Sequence, residues 1–334
     1  MMDSAHATNS RMLSVTDLKT WFPVKRGILA RTVGYVKAVD GVSLYINKGE
    51  TLGLVGESGC GKTTLGRTLL GLEKASGGKA VFDGKNIFDA SRREMKKIRR
   101  RIQMIFQDPL SSLNPRLNVL DIITEGLVEF NMIEGTREDH AKKLMSEVGL
   151  DDAIYRYPHE FSGGQRQRIN IARAISLKPD FIVCDEPVSA LDVSVQAQII
   201  NLLMDLRADH DLSYLFISHD LSVVSQISDR ILVMYLGRIV EHGSAKDVID
   251  NPMHPYTKAL ISAVPQVPAI ESMPEPRKRI VLKGEPPSLL NPPPGCTFHT
   301  RCPEVMGICS KKVPEETKIN GRTVFCHLYG GHQT

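Results

Sequence analysis

Short runs of apolar residues alternate along the chain with longer stretches whose apolar residues recur at helical spacing. The runs predict buried strands, and the stretches predict helices that pack on them. The predicted strands are residues 13–18, 42–46, 51–55, 80–82, 102–106, 181–185, 214–218 and 231–237, and the predicted helices are 64–72, 91–101, 193–207 and 221–227. Residues 108–179 also have a mostly helical pattern. This alternation predicts an α/β fold with a mostly parallel sheet.

The last quarter of the chain differs in composition from the rest. Thirteen of the 19 prolines lie after residue 250, and four of the six cysteines lie after residue 295. Paired and triple prolines interrupt regular elements there. The segment beyond Asn251 is therefore predicted to be loop-rich, and 334 residues agree with about two domains.

Composition and charge exclude several classes of protein. Apolar residues make up 42% and charged residues 24% of the chain, as in folded soluble proteins. The net charge of +4 is too small to create the strongly positive electrostatic potential that is typical of nucleic-acid-binding proteins. No apolar run is long enough for a transmembrane helix, and Met1 to Ser10 do not have the pattern of a secretory signal. We therefore expect a soluble cytoplasmic protein that does not bind nucleic acid.

A glycine-rich segment between a predicted strand and a predicted helix has the pattern G-x-x-x-x-G-K-[ST]. Glycines allow backbone N–H groups to converge on phosphate oxygens, and the helix adds its positive end. We expect Lys62 to bind the outer phosphates and Thr63 to ligate Mg²⁺. A chance glycine turn is the alternative, and the strand-before-helix context argues against it. The candidate nucleotide-binding residues are Gly56, Glu57, Ser58, Gly59, Cys60, Gly61, Lys62, Thr63 and Thr64.

Two acidic residues end the apolar run at residues 181–185. Ligands in sheets of this kind bind at the carboxyl ends of the strands, so both acids are predicted to face the phosphate loop. Asp185 would hold Mg²⁺, and Glu186 would polarise the attacking water. A solvated acidic pair at a strand end is the alternative for this motif taken alone.

The segment FSGGQRQR, residues 161–168, resembles the signature motif of the ATP-binding subunits of ABC transporters. The resemblance implies a P-loop, RecA-like ATPase core with an inserted helical subdomain at about residues 108–179. It also implies that ATP lies between the phosphate loop of one subunit and the signature motif of another. The residues that would contact the nucleotide of the partner subunit are Ser162, Gly163, Gly164 and Gln165.

Other segments are similar to further elements of the same family. Gln107 resembles the glutamine that touches Mg²⁺ and water, and Asp192 lies in a segment that resembles the D-loop. His219 resembles the histidine that contacts the γ-phosphate, although a histidine at a strand end is by itself more often structural. Tyr35 is the candidate for stacking on adenine, and Phe22 is the second choice.

The resemblance narrows to importers of oligopeptides and dipeptides. QDPLSSLNPR at residues 107–116 and NPMHPYT at residues 251–257 resemble hallmarks of that group, and residues 31–40 and 156–160 resemble its F-type subunits. This implies Mg²⁺-dependent ATP hydrolysis that energises peptide uptake. The implied domains are an ATPase domain at residues 1–250 and a C-terminal extension at residues 251–334.

The same resemblance implies partners and a location. These are a second, D-type ATPase subunit in a heterodimer, two transmembrane permease subunits and, indirectly, a solute-binding protein. The chain would then lie on the cytoplasmic face of the cell membrane. The alternatives are import of nickel or oligosaccharides, a non-transport ABC ATPase, and a catalytically silent regulatory subunit.

Residues 91–101 contain seven basic side chains. A solvated helix face explains them, and contacts to anionic lipids or nucleic acid are the alternatives.

The four late cysteines form a second candidate site, with the spacing C-x5-C-x6-C-x16-C. A proline-rich tail with little apolar content needs a staple, and disulfides are disfavoured in a reducing compartment. From the residues alone, tetrahedral zinc and an iron–sulfur cluster are equally suitable. The family resemblance favours a [4Fe–4S] cluster on Cys296, Cys302, Cys309 and Cys326.

Overall fold

The computed structural model describes residues 11–27, 30–151, 153–264 and 279–330. The segment Met1 to Ser10, for which the sequence predicts no secretory signal, lies outside these ranges. Within them, no helix combines the length and the apolar character that crossing a membrane requires.

The described residues form the following strands and helices, in chain order. The strands are β1 Arg11–Arg26, β2 Arg31–Asn47, β3 Thr51–Val55, β4 Gly77–Phe82, β5 Lys85–Asn86, β6 Ile102–Ile105, β7 Phe181–Asp185, β8 Ser213–Ser218, β9 Arg230–Tyr235, β10 Arg238–Ser244, β11 Thr317–Ile319 and β12 Arg322–Val324. The helices are α1 Lys62–Leu69, α2 Arg92–Arg101, α3 Pro109–Ser112, α4 Val119–Glu129, α5 Arg137–Glu147, α6 Gly163–Ile175, α7 Val193–His210, α8 Leu221–Ile227, α9 Ala245–Asp250 and α10 Pro255–Ser262. Single 3-10 turns cover Ile87–Asp89 and Pro158–Glu160.

The chain divides into two compact units. The first comprises Met1–Leu13, Ile46–Thr51 and Phe82–Ser218. Its strands β6, β7 and β8 run parallel, with Ile102 opposite Phe181 and Phe181 opposite Ser213. Every residue of β7 and β8 is buried, as expected for strands covered on both faces. Helices α3 to α6 carry the predicted helical region.

The second unit comprises Ser14–Tyr45, Leu52–Val81 and His219–Thr334. Strand β3 runs parallel to β9, with Leu52 opposite Arg230. The strands that follow are antiparallel: β10 pairs with β9 and with β12, and β12 pairs with β11. Strand β1 lies between β2 and β4 in a separate sheet. The mostly parallel arrangement predicted from the sequence therefore does not extend to this unit.

The predicted strand 231–237 ends earlier than expected. Leu236 and Gly237 have φ values of 43° and 78°, so they form a tight turn from β9 into β10. A two-residue turn with positive φ at both positions matches the twist of a hairpin. The apolar run thus covers one strand and the start of a hairpin loop.

The C-terminal extension contains more regular structure than its prolines suggest. Pro255 is the first residue of α10, where its missing N–H costs no hydrogen bond. The imidazole Nδ1 of His254 accepts the N–H of Tyr256 and caps the helix. A small core of Met253, Val324 and Cys326, with Ile319 and Tyr329 packed on it, joins this region to β12. Residues 255–262, 317–319 and 322–324 are regular elements, and the other described residues beyond 251 are turns and irregular segments, in agreement with the predicted loop-rich tail.

Candidate functional site

The glycine-rich loop runs from the end of β3 to the start of α1. Strand β3 is buried at all five residues, and α1 begins at Lys62. Gly61 has a φ of 108°, and a Cβ atom there would lie 1.9 Å from the carbonyl oxygen of Ala38. Only glycine fits this position, so the residue sets the path by which the loop enters the helix.

The lysine of the loop is held by the loop itself. Lys62 is 5% exposed, and its Nζ donates to the carbonyl oxygens of Gly56 at 2.7 Å and Glu57 at 3.1 Å. Among the described residues, no side chain caps the start of α1. A helix start without a side-chain cap, with a buried cation beside it, is suited to bind a phosphate group.

Cys60 is a filler in this loop rather than a nucleophile. The side chain is 4% exposed, and its sulfur lies 4.0 Å from the Nζ of Lys62. Burial raises the pKa of the Cys60 thiol, which keeps it protonated and unreactive.

Two residues that the sequence analysis did not single out also bind the loop. Arg301 donates two hydrogen bonds to the carboxylate of Glu57, and the hydroxyl of Tyr256 accepts the Glu57 N–H at 2.8 Å. They are 244 and 199 positions away in the sequence. Tyr256 lies in the segment NPMHPYT, which resembles a family hallmark, but no periodicity or spacing in the sequence indicates that Tyr256 or Arg301 contacts the loop.

In the first unit, the structure brings together Gln107 and Glu186, two of the predicted catalytic residues. Glu186 is half-buried with a φ of 46°, and the preceding Asp185, which ends β7, is 2% exposed. The side-chain amide of Gln107 donates to Oε2 of Glu186 at 3.1 Å. Positive φ is uncommon for a residue with a side chain, and it directs the chain away from the strand immediately after the acid pair.

The segment after the acid pair forms a tight turn. The hydroxyl of Ser189 donates to the carbonyl oxygen of Glu186 at 3.1 Å. Asp192 is exposed at the start of α7. His219, the candidate for the γ-phosphate contact, follows β8 directly and is exposed in the second unit.

The signature segment forms the start of α6. The hydroxyl of Ser162 accepts the N–H of Gln165 at 3.3 Å, and the Gln165 side chain accepts the N–H of Ser162 at 2.9 Å. This reciprocal capping box satisfies two of the N–H groups at the helix start. A Cβ atom at Gly164 would lie 2.6 Å from a methyl carbon of Val195, so α6 and α7 approach closely here. Ser162, Gly163 and Gln165 are exposed.

The two aromatic candidates for stacking on adenine are both accessible. Tyr35 is 47% exposed and Phe22 is 37% exposed. The ring of Tyr35 lies 6.2 Å from that of Trp21, tilted by 51°. The stacking role of Tyr35 stays a prediction.

The basic helix α2 is a solvated element. Its buried side chain is Ile98, and its start is capped by Ser91 and Glu94. Arg101 donates to Asp180 and to Asp83, both at 2.6 Å. These contacts account for the last basic residue of α2, and the other arginines of this helix are exposed.

The four late cysteines influence one another electrostatically. Burial first, with a smaller contribution from neighbouring cysteines, raises the pKa of Cys302 and of Cys326 to about 11. The backbone N–H of Cys296 donates to the carbonyl oxygen of Cys309 at 2.7 Å, which closes the loop between them. Within the described ranges, no three His, Cys, Asp or Glu side chains are arranged to hold a metal ion.

Comparison with protein families gives two matches. Residues 39–189 match the model for the ABC transporter family. Residues 240–309 match the model described as the oligopeptide/dipeptide transporter C-terminal region.

Curated relatives align with nearly the full chain. The oligopeptide transport ATP-binding protein AppF of Bacillus subtilis is 52% identical, covering 97% of this chain and 99% of its own length. The oligopeptide transport ATP-binding protein OppF of Salmonella typhimurium is 50% identical, covering 91% and 92%. The dipeptide transport ATP-binding protein DppF of Escherichia coli is 49% identical, covering 94% and 93%.

Solved structures match most of the chain. One is the ATP-binding cassette MJ0796, a dimer in a post-hydrolysis state with ADP and Pi. It has a TM-score of 0.62 and 27% identity, and covers 70% of this chain and 99% of its own. Another is cbiO1 from Clostridium perfringens, part of the ABC transporter complex cbiONQ, with a TM-score of 0.61 and 28% identity over 72% and 92%.

Proposed function

Because the chain belongs to the ATP-binding proteins of oligopeptide and dipeptide ABC transporters, we propose that it binds and hydrolyses ATP to energise peptide uptake by a transporter. The protein is an ABC-type ATPase of an importer. Cassettes of this kind work as dimers together with permease subunits.

The phosphate loop is the proposed binding site for the phosphates of ATP. Lys62 would neutralise the outer phosphates, and the hydroxyl of Thr63 would ligate Mg²⁺, with Asp185 as a further ligand. The buried Nζ of Lys62 and the uncapped start of α1 support this role. Both place positive potential at the end of the loop, where the phosphates would bind.

Glu186 is the proposed group that activates water, and the hydrogen bond from Gln107 to Glu186 is the observation that carries this proposal. A glutamine that donates to one oxygen of a carboxylate fixes the orientation of that carboxylate, and an oriented carboxylate can act as the base for an attacking water. His219 would contact the γ-phosphate. Each of these groups acts by position and charge, as expected for phosphoryl transfer.

Substitution Glu186→Gln tests the catalytic assignment in the assembled transporter. The amide keeps the size of the side chain but cannot take a proton, so we expect ATP to bind while hydrolysis falls about 100-fold or more. Glu315→Gln, at an exposed position in the C-terminal extension, is the control and leaves hydrolysis unchanged. Normal turnover in Glu186→Gln would remove Glu186 from the catalytic role.

The signature segment is proposed to complete the ATP site of a second subunit. Its exposed residues at the start of α6 support this, because a surface that closes on another chain must be accessible in the single chain. The proposed second subunit is a D-type ATPase in a heterodimer. A solute-binding protein would deliver the peptide, and the chain would lie on the cytoplasmic face of the membrane.

The four late cysteines are proposed to hold a [4Fe–4S] cluster, with Zn²⁺ as the alternative. Cys296 and Cys309 contribute to the raised pKa of Cys302 and of Cys326, and a bound metal would lower the pKa of these two thiols and stabilise the thiolates. The group would staple a segment that is poor in apolar residues. Protein purified without oxygen should be brown and contain about four iron atoms per chain. Colourless protein with one zinc ion per chain would contradict the cluster.

A further inference from the structure

The second residue of the phosphate loop is held from outside the loop. The guanidinium of Arg301 donates from Nη1 to Oε2 of Glu57 at 2.8 Å and from Nη2 to Oε1 at 3.1 Å. The Arg301 side chain is 7% exposed and the Glu57 side chain 26%. A bidentate pair of this kind fixes both the direction and the charge of the carboxylate.

Tyr256 holds the backbone of the same residue. Its hydroxyl oxygen accepts the Glu57 N–H at 2.8 Å, and the side chain is fully buried. The Glu57 N–H is thereby committed within the protein. Further along the loop, the Cys60 N–H donates to the carbonyl oxygen of Glu57 at 3.3 Å.

Both contacts come from one packed region of the C-terminal extension. The ring of Phe298 is fully buried and lies 5.2 Å from Tyr235 and 5.4 Å from Tyr256. The carboxylate of Glu241 accepts the N–H groups of Met253 and His254 at 2.9 Å and 2.8 Å, which fixes the start of α10 to β10. Arg301 and Tyr256 are therefore presented on a rigid support.

The extension also borders the space in front of the loop. A cavity of about 540 Å³ is lined on one side by Glu57, Ser58 and Gly59 and on the other by Glu285, Pro286 and Leu289. The carbonyl oxygen of Leu289 accepts the N–H of Lys37 in β2 at 3.1 Å. The C-terminal extension thus contacts the phosphate loop through Arg301 and Tyr256 and also lines the cavity next to it.

Charge gives the Arg301 contact a consequence for nucleotide binding. Glu57 places a negative charge in a loop that must receive the phosphates of ATP, and like charges at short range repel. Arg301 neutralises this charge, and its two hydrogen bonds prevent the Glu57 carboxylate from rotating freely. Loss of Arg301 would leave an uncompensated carboxylate in the phosphate loop.

We propose that Arg301 is a positioning residue of the ATP site, which neutralises and orients Glu57 so that the C-terminal extension sets the affinity for ATP. This rests on the proposed role of the loop in phosphate binding. Arg301 acts through Glu57 and Tyr256 acts on the same residue through the backbone. Neither needs to touch the nucleotide.

The test compares KM and kcat for MgATP in the assembled transporter. Arg301→Met should raise KM about tenfold and change kcat less than twofold, because it weakens binding without altering the reacting groups. The double variant Arg301→Met/Glu57→Gln should return KM to within about threefold of the wild-type value, since it removes the unpaired charge as well. A merely structural arginine would not be rescued by the second substitution.

Matched variants distinguish the possible failures. Lys258→Met breaks the surface pair with Glu304 in the same extension and should leave KM unchanged. Arg301→Lys keeps the charge but not the paired geometry, and should raise KM about threefold even if Arg301→Met does not fold. A wild-type KM in Arg301→Lys and Arg301→Met, or no rescue in the double variant, overturns the proposal. Unchanged ATP binding in Lys62→Ala would instead overturn the phosphate-loop assignment itself.

Discussion

The chain has two glycine-containing helix starts that are proposed to bind phosphate, and they are built in opposite ways. At the phosphate loop, the lysine is buried, no side chain caps α1 among the described residues, and the extension holds Glu57. At the signature segment, Ser162 and Gln165 cap α6 themselves, and both are exposed.

The difference agrees with the two proposed roles. The phosphate loop would bind the nucleotide of its own chain, and the signature segment would contact the nucleotide of a second chain. The phosphate loop keeps its helix start for a ligand, and its surroundings are fixed before the ligand arrives. The signature segment satisfies the N–H groups of Ser162 and Gln165 with its own side chains. It is proposed to contact the nucleotide of a second subunit when the dimer closes.

The largest effect is expected at the phosphate loop. Lys62→Ala removes the buried cation, so ATP binding should be lost and hydrolysis should fall about 100-fold or more. Equilibrium binding of a fluorescent ATP analogue and steady-state hydrolysis measure the two effects. Lys79→Ala, at an exposed position in β4, is the control. Retention of ATP binding in Lys62→Ala would contradict the proposal that the phosphate loop binds the ATP of this chain.

A smaller effect of a different kind is expected at the signature segment. Ser162→Ala should leave ATP binding by this chain unchanged but lower hydrolysis by the assembled transporter about tenfold, because the site affected belongs to the partner. Loss of the cap should also cost about 1 kcal/mol of stability.

Ser91→Ala provides a matched control, since Ser91 caps α2 through the same kind of box with Glu94. It should cost a similar amount of stability, measured by denaturant unfolding, and leave hydrolysis unchanged. Equal loss of hydrolysis in both variants would mean that the signature serine acts only as a helix cap.

The smallest effect on activity is expected from a change of pH. It acts on the stability of the region around His254, which caps α10. Burial, and then the charge of Lys258, lower the pKa of His254 to about 3 from its ordinary 6.5. The unfolded chain therefore takes up the proton first, and stability is lost as the pH falls from 6.5 towards 3. At pH 5.5 this loss is about 1 kcal/mol relative to pH 7.5.

Denaturant unfolding at the two pH values measures this loss. His254→Asn keeps an oxygen that can cap α10 but has no group that titrates in this range, so its stability should depend less on pH by about that amount. An identical pH dependence in wild type and His254→Asn would contradict the assignment. Hydrolysis at pH 7.5 should be similar in both proteins.

The elements predicted best from the sequence are those with an uninterrupted apolar pattern. Strands 51–55 and 181–185 have the predicted bounds, because every position in them is buried. The helix 221–227 also has the predicted bounds, and the side chain of Asp220 caps its start. The predictions were less accurate where proline was treated as a breaker. Pro255 begins α10 and does not end an element. Strand β10 forms a hairpin with β9, and the apolar run at residues 231–237 covers only β9 and the turn.

The sequence by itself determined the ATPase core, the phosphate loop and the acid pair, because each depends on residues that are close along the chain and on local backbone geometry. Only the tertiary structure decided that Gln107 donates to Glu186, and that Arg301 and Tyr256 hold Glu57. These contacts join residues at least 79 positions apart. They depend on how packed elements bring side chains together, and no spacing in the sequence records that.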